Sequence, residues 1–146
     1  MKFATLFLIL MTLVTGAFAD TASDQQNIQH LMRHTWERPD APLDVGPITV
    51  EGDHAVAGWT QGERGGRALL GKNDKGWRVV LCAGDALLDP TTLRSAGLAP
   101  DAAVHMSQSV TQAESAVSPN RVKQFALFKG VVNVSQEHSS AANRAE

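Results

Sequence analysis

The chain has 146 residues and carries 13 Lys or Arg against 15 Asp or Glu, a formal net charge of −2, with the basic residues scattered rather than clustered. That balance argues against a phosphate-tracking nucleic-acid surface. A chain of this length makes one domain and buries about two thirds of its surface, so it folds without a disulfide framework, and its single cysteine, Cys82, can form no intrachain disulfide.

At the N-terminus Lys2 precedes an apolar run from Phe3 to Val14 and then Gly16-Ala17-Phe18-Ala19, with small residues at both positions a signal peptidase reads. This predicts a leader over residues 1–19 cleaved before Asp20, and therefore a periplasmic location. The apolar run is too short to cross roughly 30 Å of hydrocarbon as a helix, and no later stretch is apolar for long enough, so stable membrane insertion after cleavage is not expected. Residues 20–135 then form the domain, and the polar stretch 136–146 reads as a disordered tail.

Ile28, Leu31, Met32 and Trp36 recur at helical spacing from Asp24 to about Trp36, with Ser23 as N-cap and Pro39 and Pro42 beyond the end. From Pro47 to Ala83 the period changes to two. Ile48 and Val50, Ala55, Ala57 and Trp59, Ala68 and Leu70, and Trp77, Val79 and Leu81 alternate with other residues. Glu51-Gly52-Asp53, Gly62-Glu63-Arg64-Gly65-Gly66 and Asn73-Asp74-Lys75-Gly76 separate them as hairpin loops, which predicts a four-stranded antiparallel meander.

Helical punctuation follows. Asp85 can cap a short turn, and Asp89-Pro90 opens a helix that Gly97 stops. Pro100 opens a longer one striped with Ala103, Met106, Val110, Ala113 and Val117. Ser118-Pro119 starts another that ends near Gly130, its Val122, Phe125, Leu127 and Phe128 able to cover the sheet; Val131 to Val134 reads equally as a fifth strand or an extended arm. The fold class is α+β: an N-terminal helix, the meander, then C-terminal helices, with the helices gathered on one face of the sheet. A curved sheet of the cystatin-like or nuclear-transport-factor-like kind is the preferred version.

Parity places Trp77, Val79 and Leu81 on one face of the last meander strand and Arg78, Val80 and Cys82 on the other. Cys82 then reads as a small buried hydrophobe, or as a soft Cu(I) ligand or redox thiol. His30 and His34, four apart on the first helix and opposite its apolar stripe, form an exposed pair able to chelate Cu(II) or Zn(II) through an open, weak site. His105 lies beside Met106, which belongs to the apolar stripe; His138 lies in the tail; His54 opens a strand beside a turn. Arg64 and Arg67 flank two glycines and read as solvated hairpin arginines that could hold a carboxylate or an acidic partner; Asp85 is a further candidate for partner or ligand binding. There is no Gly-x-Ser-x-Gly elbow, no His-Glu-x-x-His helix and no Walker loop. The chain does not read as an enzyme.

The blocks Glu37-Arg38-Pro39-Asp40-Ala41-Pro42-Leu43, Gly52-Asp53-His54-Ala55, Trp59-Thr60-Gln61-Gly62, Gly65-Gly66-Arg67-Ala68-Leu69-Leu70 and Gly76-Trp77 through Leu81-Cys82-Ala83-Gly84-Asp85-Ala86-Leu87 resemble those of a family of small exported bacterial proteins described as copper uptake system associated. The resemblance runs from Asp20 to about Gly130. It implies a periplasmic accessory to copper acquisition that acts beside an outer-membrane receptor and a separate copper chaperone. It carries no catalytic motif to this chain. The histidine and methionine spacing of the copper chaperones themselves is absent, since no methionine follows His105-Met106. Two functions are therefore expected as alternatives. Either some subset of His30, His34, Cys82, His105 and His138 binds copper, or the sheet and the Arg64-Arg67 hairpin dock a protein or a non-metal ligand.

Overall fold

A computed structural model describes residues 16–134. The expected leader falls mostly outside these residues, and the tail with His138 falls outside them from 135 onward. The first helix, α1 (Gly16–Trp36), runs through the Ala19–Asp20 junction at which cleavage is expected. Ser23 is therefore an interior residue and not the N-cap; nothing in the sequence between Gly16 and Asp24 breaks a helix. The end at Trp36 falls where the following prolines place it.

Four strands follow in chain order: β1 (Asp44–Glu51), β2 (His54–Gln61), β3 (Arg64–Asn73) and β4 (Gly76–Ala83). The meander is present as the alternation predicts. A fifth strand, β5 (Val131–Asn133), pairs with the end of β4 and completes an antiparallel sheet of order β1-β2-β3-β4-β5. The β2–β3 loop is tighter than expected. Gln61 pairs with Arg64, so the turn is Gly62-Glu63 alone and Gly65 and Gly66 lie inside β3.

Those two glycines are explained by what crosses above them. After β4 come a 3-10 turn at Asp85–Leu88, then α2 (Pro90–Ser95), α3 (Pro100–Glu114) and α4 (Pro119–Phe125). Asp89 caps α2 by accepting from Thr91 N at 2.8 Å, whereas Asp85 stands inside the first turn and caps nothing. The chain leaving α4 passes so close to the sheet that a methyl on Gly65 would sit 2.5 Å from the Gln124 carbonyl oxygen, and one on Gly84 2.6 Å from that of Phe128. Only a bare backbone admits this crossing. Helix α4 consequently stops at Phe125, short of the expected Gly130, and Leu127 points to solvent with 52% of its surface exposed instead of covering the sheet.

The helices do not gather on one face. Helix α1 buries Ile28 and Met32 against Val45, Ala55, Ala57, Ala68, Leu70 and Val79. On the opposite face Leu87, Leu93, Ala103, Met106 and Val110 from the later segments pack on Val56, Leu69, Leu81 and Ala83. Two apolar cores therefore sandwich one sheet, and the continuous apolar run Ala68-Leu69-Leu70, fully buried, is what a strand covered on both sides requires. Simple parity fails on β4 for a related reason. Leu69 pairs with Leu81 but Leu70 pairs with Val79, so Val80 is an extra residue, a bulge. Trp77 and Val79 face α1; beyond the bulge Leu81 turns to the opposite core and Cys82 takes the α1 face.

Arg67, expected in a solvated hairpin, is 1% exposed in the middle of β3. Its Nε and Nη2 donate to Glu114 Oε1 and Oε2 at the end of α3, both at 2.7 Å, and its Nη1 donates to Asp85 Oδ1 at 3.0 Å. The Phe125 ring lies 5.6 Å from the guanidinium carbon. Burial alone would favour the neutral form, but the bonds and charges of Glu114 and Asp85 outweigh it and hold the proton more firmly than usual. Removing one member of such a pair strands the other, a cost of about 3–5 kcal/mol. Glu114→Ala should lower the urea-unfolding stability by about that amount, and Arg67→Met with Glu114→Leu should recover most of the loss. A double variant no more stable than the single would show that the pair does more than satisfy itself.

Candidate functional site

A cavity of about 390 Å³ lies beneath the C-terminal half of α1, at the end of the sheet where the β2–β3 turn and β5 meet. Met32 and Trp36 form its roof from the helix, and Trp59 and Cys82 line it from β2 and β4. Phe128, delivered by the chain that crosses Gly84, meets the Trp59 ring edge to face with centroids 6.0 Å apart. Val132 and Val134 add a further apolar wall. The bulge at Val80 is what brings Cys82 here, half-buried and packed with the α1 core.

The polar groups of the cavity wall are engaged. Gln61 Nε2 donates to the carbonyls of Trp36 at 2.9 Å and Ala41 at 2.8 Å, and its Oε1 accepts from Arg64 Nη2 at 3.0 Å. Thr35 Oγ1 donates to Leu31 O at 2.7 Å. Arg38 and Arg64 stand at the rim, the former 65% exposed and 3.9 Å from a still more exposed Asp40. Of the arginine pair singled out in the sequence, Arg64 thus borders the cavity, while Arg67 and Asp85 are bonded to each other on the far face of the sheet and are not brought to it.

The roof is held from both sides. Gln25, Gln29 and Arg33, one helical turn apart, donate to the carbonyls of Ile48, Val45 and Leu43 along the open edge of β1. Across the sheet Asp24 Oδ1 accepts from Lys72 Nζ at 2.8 Å and from Trp77 Nε1 at 2.9 Å, which leaves the indole half-buried and hydrogen-bonded.

His30 and His34 are exposed, as their helical angle predicts, with rings stacked 6.1 Å apart beside Arg33 and Arg38. They lie outside the cavity. His105 is exposed on α3, its Nδ1 3.0 Å from Glu51 Oε2, a carboxylate that also accepts from Ser109 Oγ at 2.8 Å; Met106 beside it is core. The candidate ligands are therefore dispersed over three places. Among the described residues no three His, Cys, Asp or Glu side chains come together as a metal site. Met32 was read only as a core residue, and its partnership with Cys82 at one cavity went unseen, because the two are fifty positions apart and the bulge decides which way Cys82 points.

No protein-family model, curated protein or solved structure matches the chain. Among the described residues no helix is long and apolar enough to cross a membrane.

The Lys72 hydrogen bond chiefly holds the Asp24 carboxyl below its ordinary value of 3.8; partial burial opposes it and the Trp77 bond adds to it. The unfolded chain therefore binds a proton at Asp24 before the folded one does as pH falls. Its contribution is complete above the ordinary value and is lost as pH drops from there through the folded value. Asp24→Asn should be less stable than the parent at pH 6, and the gap should close toward pH 2 in denaturant titrations. A gap that stays constant over that range would mean that the carboxylate charge contributes nothing.

Proposed function

We propose that the protein is an exported accessory of copper uptake, that it holds Cu(I) weakly in the cavity beneath α1, and that it passes the ion to a copper-handling partner such as a periplasmic chaperone or an outer-membrane receptor. The observation that carries this reading is that the chain's only cysteine, Cys82, and Met32 both line the same cavity. Thiolate and thioether are the donors that select Cu(I) over harder ions. Two sulfur donors with no cluster of imidazoles or carboxylates around them among the described residues suit a site that releases its cargo, not a closed structural centre. The cargo reaches the sulfur by displacing the thiol proton, so retention weakens as pH falls. The stretch from Trp77 to Cys82, where the resemblance to copper uptake system-associated proteins is fairly specific, contains the bulge at Val80 and the cysteine that lines the cavity.

His30 and His34 support a second, weaker contact for Cu(II) at the protein surface. A long helix over one face of a sheet, with a cavity between them, is also the arrangement expected of the cystatin-like and nuclear-transport-factor-like curved sheets. It favours a second reading, a module that binds a non-metal ligand, on the specific ground that two arginines border the cavity.

Competition of Cu(I) against a chromophoric chelator tests the copper reading. Cys82→Ser should weaken retention by about tenfold or more, and Met32→Leu, nearly volume-conserving, should weaken it less while keeping the fold. Replacing His30 and His34 together should spare Cu(I) and reduce Cu(II) uptake. A parent protein that holds Cu(I) no better than the Cys82→Ser variant would end the proposal.

A further inference from the structure

The rim of the cavity carries more information than its sulfur atoms. Inside, the amide of Gln61 and the hydroxyl of Thr35 spend their donors on backbone carbonyls at 2.7–2.9 Å, so the wall offers a ligand mainly apolar surface from Met32, Trp36, Leu43, Trp59 and Phe128. At the rim the two guanidiniums hold uncommitted donors. A guanidinium has five N–H groups; Arg64 commits Nη2 to Gln61, and Arg38 faces only Asp40 across 3.9 Å of water-accessible space. Glu37, the other nearby carboxylate, is occupied in accepting from Leu43 N at 2.9 Å, and Glu63 is exposed in the turn before Arg64. The cavity volume of about 390 Å³ falls within the range of roughly 300–1,000 Å³ that small-molecule sites occupy.

We infer that the cavity binds a small amphipathic carboxylate, its apolar body between α1 and the sheet and its carboxylate at Arg38 and Arg64. The inference rests on the non-metal reading of the cavity and needs no copper. An apolar body gains by leaving water for a wall with few hydrogen-bonding demands. A carboxylate that stops at the rim keeps part of its hydration and gains planar two-point bonds that a guanidinium offers. A cationic ligand would meet two like charges there, and a polar one would leave its groups unmatched among the tryptophans.

Decanoate and decanol, equal in chain length and different in charge, separate the parts of this inference when titrated calorimetrically into chelator-treated protein at pH 7. Trp36 and Trp59 emission gives a second readout. Decanoate should bind at one site per chain and about tenfold more tightly than decanol, equivalent to about 1.4 kcal/mol. In Arg38→Ala with Arg64→Ala the preference should fall to near unity while decanol binding persists, which also shows that the variant's cavity is intact. Added salt should narrow the preference in the parent. Equal binding of the two probes by the parent overturns the carboxylate assignment and leaves a neutral-ligand module; failure of both to saturate overturns the ligand-binding reading itself. An undiminished preference in the double variant overturns the role given to the arginines.

Discussion

The guanidinium of Arg67, locked in a two-point bond with Glu114, is the constraint around which the sheet's closed face is arranged. It projects from the central strand into a layer that is otherwise hydrocarbon, and a charge there is tolerated only when its partners arrive in the right geometry. Those partners come from three separate segments. Glu114 closes α3, Asp85 opens the 3-10 turn, and Phe125 lays its ring beside the cation from α4. Helices α3 and α4 carry other polar ties as well, from Ser109 to Glu51 and from Arg121 and Gln124 to backbone carbonyls of Gly46 and Gly62. A bidentate pair fixes the last turn of α3 relative to β3 in rotation as well as distance.

With that face settled, the other is free to be incomplete. Over Ala55, Ala57 and Ala68 the small side chains let α1 descend close to the sheet, and Ile28 and Met32 fill the gap. Past Met32 the floor changes to Trp59 and Cys82, the helix ends at Trp36, and the remaining space is enclosed from outside by Phe128 and the segment beyond it. The cavity is thus a product of helix length against strand length. Hydrogen bonds from Gln25, Gln29 and Arg33 to the β1 carbonyls, with Asp24 on the opposite side, keep the roof from settling into it. The same three donors also blunt the exposed edge of β1, which would otherwise be available to pair with another chain.

Element type and order were legible because they rest on local chemistry: the 3.6-residue stripe before Trp36, the twofold alternation from Ile48 to Leu81, and Asp-Pro and Ser-Pro before helices. The separation of His30 and His34 from the core stripe was legible on the same ground. What was hidden depends on residues distant in the chain. Gly65 and Gly66 resemble loop glycines until the passage of residues 124–128 is known, and Arg67 resembles a solvated arginine until Glu114 is brought to it across 47 positions. The face of Cys82 was misjudged because a single inserted residue, Val80, reverses parity within one strand, and nothing about valine marks it as the one that bulges. The cavity could not be read from the sequence, since its lining is drawn from α1, four strands and the segment after α4.

The wide spread of that lining has a temporal side. The roof at Met32 is synthesised about a hundred residues ahead of the wall at Phe128 and Val132. Without the crossing at Gly84, Cys82 would face an open trough. Closure of the pocket therefore depends on a long-range contact, between residues 128–134 and a roof laid down far earlier in the chain.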